Sequence, residues 1–188
     1  MRSIAVFVSG NGTNLQHLIG AFEGSELAKI ALVVSDKLAP KAFSFAQQAH
    51  IPTISLCQLP NPENDLLARL KEQAIDIIVL AGYLSKVSPA LIRSYPRRIL
   101  NLHPALLPKF GGKGMYGLRV HEAVLAAKEQ VSGITIHFVN EEYDRGDIVF
   151  QAVCPVRPDD TPDSLAQRIH QLEYEHYPRV VRMLAQNS

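Results

Sequence analysis

The chain lacks a charge excess, a cysteine framework, a metal-ligand motif and a long apolar run, and each absence removes a class of function. Lysine and arginine total 19 against 18 aspartate and glutamate. A net charge this near zero points to neither a nucleic-acid nor a membrane partner, though it leaves room for a local patch that binds a small anion. The two cysteines, Cys57 and Cys154, form no CxxC pair, so two buried thiols in a reducing compartment are expected. No HxxxH or HExxH spacing joins His103, His121 and His137, and no metal is expected. The first apolar stretch stops at Ser9-Gly10, too soon for a signal peptide or a membrane span, which makes a cytoplasmic location the expectation. There is no repeat, low-complexity tract or linker, and 188 residues suit one sizeable core.

What is present is an alternation of short apolar runs with helical patterns. Ile4 to Val8, Ile30 to Val34, Pro52 to Ser55, Ile75 to Ala81 and Ile99 to Leu102 read as strands. Between them, Leu15 to Phe22, Ala39 to His50, Glu63 to Ala74 and Pro89 to Tyr95 read as helices. Strands that are apolar throughout and alternate with helices predict an α/β protein with a doubly wound, mostly parallel sheet. The pattern then changes. Leu107 to Gly117 reads as loop, Leu118 to Lys128 as helix, and Ile134 to Val139 and Ile148 to Val156 as an antiparallel pair at one end of the sheet. A final helix runs from Thr161 to Ala185, with Asp160 and Thr161 as cap candidates and Pro162 in the first turn.

Two features carry chemistry. Gly10-Asn11-Gly12-Thr13-Asn14 lies between the first strand and the first helix, where backbone N–H groups form an anion cradle. It lacks the GxxxxGK[ST] signature, and Leu15 stands where GxGxxG needs its third glycine, so a phosphate monoester fits better than a dinucleotide. A tight turn packing helix on sheet is an equal reading of this loop alone. The second feature is Asn101-Leu102-His103-Pro104. Residues i and i+2 of a strand share a face, which sets an amide beside an imidazole. Such a pair can hold a carbonyl oxygen and move a proton, and Asp144 could set the charge of the histidine. Both features fall at carboxyl ends of strands, where open parallel sheets bind ligands.

Ser9-Gly10-Asn11-Gly12-Thr13-Asn14-Leu15, Leu80-Ala81-Gly82-Tyr83, Asn101-Leu102-His103-Pro104-Ala105-Leu106-Leu107-Pro108 and Gly133-Ile134-Thr135-Ile136-His137-Phe138-Val139, followed by Asp144, occur in an order that resembles the phosphoribosylglycinamide formyltransferase family. The resemblance implies a Rossmann-like formyltransferase fold and a single domain over 1-188. Residues 1-100 would form the phosphate-binding half, and 101-188 the catalytic and folate-binding half. It implies transfer of formyl from 10-formyltetrahydrofolate to phosphoribosylglycinamide in purine synthesis, by a monomer or weak homodimer with small-molecule partners. Asn101, His103 and Asp144 would be catalytic, with Asp144 favouring the imidazolium form of His103. Gly12, Thr13, Asn14 and Glu173 would bind the acceptor, the last through its ribose. Leu84, Ser85, Lys86, Val87 and Asn101 would bind the folate, and Leu84-Ser85 stand where the family commonly carries Met-Arg. His137 would orient its neighbours. The alternatives are formyl transfer to a tRNA-bound amine or an amino sugar, hydrolysis of formylfolate, and a silent phosphosugar-binding protein. The tRNA enzyme would carry a further C-terminal domain and the hydrolase a further N-terminal one.

Overall fold

The structure, a computed structural model, describes residues 1–187. Seven strands lie in one sheet: β1 (Arg2–Val8), β2 (Ala28–Ser35), β3 (Thr53–Ser55), β4 (Ile77–Leu80), β5 (Ile99–His103), β6 (Val131–Phe138) and β7 (Ile148–Pro155). The helices are α1 (Thr13–Phe22), α2 (Ala42–Gln48), α3 (Pro62–Glu72), α4 (Pro89–Ser94), α5 (Leu118–Ala126) and α6 (Pro162–Asn187). The strand order is β3-β2-β1-β4-β5-β6-β7. β1 pairs in parallel with β2 and β4, and β2 with β3, while β6 and β7 are antiparallel. This is the doubly wound sheet with an antiparallel end that the alternation predicts.

The chain divides into two compact units, 1–100 with 181 onward, and Asn101–Val180. In the first unit β4 is buried along its whole length and β1 from Ile4 onward, as strands covered on both faces must be. α1 buries Leu15, Leu18 and Phe22, one stripe at helical spacing. The strand order reverses between β1 and β4, which makes the loops after these strands a ligand crevice by topology. In the second unit the buried residues include Ile134 and Ile136 of β6, Val120 and Val124 of α5, and Leu165, Ile169 and Tyr177 of α6.

Three helices stop earlier than the periodicity predicts. His50, Ala74 and Lys128 adopt φ of 56°, 48° and 52° just beyond α2, α3 and α5. Ile51 N–H then bonds Ala46 O at 2.8 Å, Ile75 N–H bonds Leu70 O at 2.9 Å and Glu129 N–H bonds Val124 O at 3.3 Å. These left-handed terminators normally use glycine, so the sequence carries no sign of them. Residues 56–58 form an unpredicted 3-10 turn. No residue of this turn is buried, so Cys57 is exposed, contrary to expectation, and its thiol donates to Asp36 O at 3.2 Å; Cys154 is buried. Thr161 caps α6 by accepting from Ser164 N–H at 3.2 Å, whereas Asp160 instead takes Arg168 in two bonds of 2.8 and 2.9 Å. Among the described residues no helix is long and apolar enough to cross a membrane.

Candidate active site

The second unit brings Asn101, His103, His137 and Asp144 together. Strand alternation puts Asn101 and His103 on one face of β5. His137 stands near the end of β6, and Asp144 lies in the connection to β7. Asp144 has φ 54°, a left-handed conformation that aspartate tolerates better than most residues. Two residues on, a Cβ at Gly146 would lie 1.7 Å from Phe138 O, so only glycine lets this connection fold back against the end of β6.

The loop after β5 closes the cluster from the other side. It is pinned by Thr135, whose hydroxyl donates to Ala105 O at 2.7 Å and accepts from Leu107 N–H at 3.0 Å. Gln151 adds bonds to Leu107 O at 3.1 Å and to Thr135 at 2.9 Å. Further along, Phe110 O accepts from His103 Nε2–H at 2.8 Å and Gly112 N–H donates to Asp144 Oδ2 at 2.8 Å. A Cβ at Gly111 would sit 2.5 Å from Leu107 Cδ2 and 3.1 Å from Asp144 Cβ, so glycine permits this approach.

The bonding fixes tautomers. A carbonyl only accepts, so Nε2 of His103 carries the hydrogen and Nδ1 presents its lone pair to Asp144 Oδ2, 3.6 Å away. Likewise His137 Nδ1–H donates to Phe138 O at 2.9 Å. In the neutral ring its Nε2 then accepts from Asn101 Nδ2 at 3.0 Å. The same amide nitrogen donates to Asp144 Oδ1 at 3.3 Å. Turning the amide over would set its oxygen against a carboxylate, so the orientation is determined, and His137 is the orienting group expected of it.

Charge follows from burial. His103 is 3% exposed. Burial pulls its pKa below the ordinary histidine value; Asp144 and the Phe110 carbonyl push it up without reversing the fall, and His137 adds to the fall. Burial alone would raise the pKa of Asp144. The neighbouring His137 and His103 rings and the Gly112 N–H outweigh it, and the net direction is down. At neutral pH the pair is therefore a carboxylate facing a neutral imidazole. Asp144 favours the imidazolium, as expected of it, while burial of the ring favours the neutral form and sets the net direction.

The formyl transferase family model matches residues 2–181. The chain is 39% identical over 97% of its length to phosphoribosylglycinamide formyltransferase of Haemophilus influenzae, covering 86% of that protein. The chain belongs to the phosphoribosylglycinamide formyltransferase family. It is 41% identical, over 96% of its length, to the chloroplastic phosphoribosylglycinamide formyltransferase of Arabidopsis thaliana, and spans 64% of that protein. The solved structure of glycinamide ribonucleotide transformylase 1 from Geobacillus kaustophilus superposes with a TM-score of 0.89 at 37% identity, covering 98% of this chain and 99% of that one. The sheet and its antiparallel end are thus the formyltransferase fold.

The other positions the family resemblance singles out lie as follows. In the first unit, Gly12 precedes α1 with φ 80° and ψ 23°, and Thr13 and Asn14 open the helix, whose first turn holds no acidic residue. A Cβ at Gly12 would lie 2.6 Å from Ala42 Cα, so this loop packs directly on α2. Leu84 to Val87 follow β4 as irregular chain; Leu84 is exposed and Val87 buried. The hydroxyl of Ser85 donates to Asp36 Oδ2 at 2.6 Å, a partner the sequence reading did not find. In the second unit Glu173 is a buried carboxyl on α6. His121 is buried with Nδ1 lacking a partner among the described residues, and burial, then His170 and His103, bring its pKa down to about 4. Among the described residues no group of three His, Cys, Asp or Glu side chains is placed to hold a metal.

Proposed function

We propose that the chain transfers the formyl group of 10-formyltetrahydrofolate to the amine of phosphoribosylglycinamide. Family membership supports the substrates, and the observation that carries the chemistry is the buried His103 ring with Nδ1 3.6 Å from Asp144 Oδ2, its pKa pulled below the ordinary histidine value by burial. The amine nitrogen forms a bond to the formyl carbon, and the bond from that carbon to the folate nitrogen breaks. The balance needs one proton moved from the first nitrogen to the second. His103 Nδ1 accepts it, Asp144 stabilises the imidazolium, and His103 returns it to the leaving nitrogen. Asn101 donates to the developing oxyanion with the hydrogen released from its longer, 3.3 Å bond to Asp144, while its bond to His137 holds the amide in line. Gly12, Thr13 and Asn14 hold the phosphate at a helix start free of acidic residues. Glu173 binds the ribose, and Leu84 to Val87 hold the folate, partly through backbone groups.

The test is direct. The protein is incubated with 10-formyltetrahydrofolate and, in separate reactions, phosphoribosylglycinamide, an amino sugar and charged initiator tRNA. Formylation of phosphoribosylglycinamide alone is expected. Transfer to another acceptor in its place, or to none, refutes the assignment.

A further inference from the structure

Asp36 directly follows β2, at the carboxyl edge of the sheet. In dinucleotide-binding sheets an acidic residue in this position holds a ribose hydroxyl of the ligand. Here both carboxylate oxygens face the protein. Ser9 Oγ–H donates to Oδ1 at 2.6 Å and Ser85 Oγ–H donates to Oδ2 at 2.6 Å. Ser9 begins the glycine loop after β1. Its hydroxyl also accepts from Leu84 N–H at 2.9 Å, and its own N–H donates to Gly82 O at 3.1 Å. The turn that carries Asp36 is itself pinned. Lys37 N–H donates to Ser35 Oγ at 3.0 Å, Ser55 Oγ–H donates to Lys37 O at 2.9 Å, and the Cys57 thiol reaches Asp36 O. The Asp36 side chain is 9% exposed, and Lys37 Nζ lies 3.7 Å from Oδ2. Short bonds from two hydroxyls to one desolvated carboxylate belong to the strong, charge-assisted class.

We infer that Asp36 is a positioning residue which, through Ser9 and Ser85, ties the phosphate-binding loop at Gly10–Asn14 to the formylfolate-binding segment at Leu84–Val87, so that the two substrate-binding segments are set as one piece. This rests on the substrate assignment above. It also gives the Ser85 hydroxyl a partner inside the protein. An acid placed for a dinucleotide ribose is turned inward, consistent with a glycine loop that lacks the third dinucleotide glycine.

The test uses the full chain with Asp36→Ala, Asp36→Asn and Ser85→Ala. Amide hydrogen exchange is read at Leu84 and Ser9, and steady-state constants are read for both substrates. In Asp36→Ala, exchange at Leu84 is expected to quicken at least about tenfold, because its acceptor Ser9 loses its anchor. KM for phosphoribosylglycinamide and for formylfolate should rise together, about tenfold each, with kcat within about threefold of wild type. Asp36→Asn keeps one acceptor oxygen and should recover part of both effects. Ser85→Ala should raise the formylfolate KM and leave the Leu84 exchange near wild type, and it serves as the second probe if Asp36→Ala does not fold. Unchanged Leu84 exchange in Asp36→Ala, a rise in only one KM, or a lowered melting temperature with both KM values intact would each overturn the inference. Absence of turnover in wild type would refute the substrate assignment, while the exchange measurement would still decide whether the tie exists.

Discussion

Replacing Asp144 by asparagine isolates the charge at the centre of the proposed mechanism. Asparagine tolerates the left-handed backbone at this position as aspartate does, and its carbonyl oxygen can keep the Gly112 N–H bond. What is removed is the negative charge 3.6 Å from His103 Nδ1 and, with the amide nitrogen in the other position, the acceptor of the 3.3 Å bond from Asn101. At an effective dielectric of about 20, unit charges at that separation attract by roughly 4 to 5 kcal/mol. If the imidazolium forms in the transition state and not in the resting enzyme, this stabilisation falls on the barrier. Asp144→Asn should then lower kcat by about a hundred- to a thousandfold, allowing for relaxation of the site, and leave KM within about threefold. The pH profile supplies a second reading. In the proposed mechanism a neutral His103 is the active form, so kcat/KM should fall as pH drops below 6.5, through the depressed pKa of the ring. A nearby carboxylate raises an imidazole pKa, so removing it must move this acid limb to lower pH still. Formyl transfer followed by the absorbance of the folate product, at fixed pH and across a pH series, measures both. A fall in kcat of less than about tenfold, or a limb that moves upward, would refute the reasoning.

Three further outcomes are expected. Thr13→Asp places a carboxylate in a first turn that has no acidic residue and should raise the KM for phosphoribosylglycinamide about tenfold with little change in kcat; an unaltered KM removes the phosphate from this loop. Ala74→Gly relieves a left-handed alanine at an exposed helix end and should stabilise the fold by about 1 kcal/mol, seen as a melting temperature raised by a few degrees, where a lowered one contradicts the terminator assignment. Arg168→Met strips Asp160 of its two-bond partner and should destabilise by about 2 kcal/mol in a denaturant titration. The Arg168 hydrogen bonds hold the Asp160 pKa far below the ordinary carboxylate range, so this contribution is complete above about pH 4 and is lost as pH falls through the folded-state value. An equal stability of wild type and variant near neutral pH would argue against it.

The parts of the molecule visible in the sequence are those governed by periodicity. Apolar runs such as Ile4 to Val8 announce buried parallel strands, and Asn101 and His103 announce a shared strand face by their spacing of two. The helix ends were not visible, because His50, Ala74 and Lys128 do the work usually signalled by glycine. The tautomer of His103 was not visible either, since it is set by a backbone carbonyl seven residues on, in a loop with no periodic pattern. The role of Asp36 is hidden for a related reason. Its partners Ser9 and Ser85 lie 27 and 49 residues away, and nothing local marks an aspartate after a strand as turned inward.

The resting charge state has a consequence for the order of events. A site built around a standing imidazolium would begin by polarising the formyl oxygen and would have to find a separate acceptor for the amine proton. In the proposed mechanism burial keeps His103 neutral, the ring is itself that acceptor, and the oxyanion falls to the Asn101 amide, whose direction His137 fixes. A lower pKa makes the neutral form more abundant at pH 7 but the base weaker. The Asp144 carboxylate counters that weakness, because its attraction acts on the charged ring and only after the proton has arrived. Burial and the carboxylate thus oppose each other in the resting pKa and cooperate along the reaction, which is why substitution of Asp144 should appear in kcat and hardly in KM.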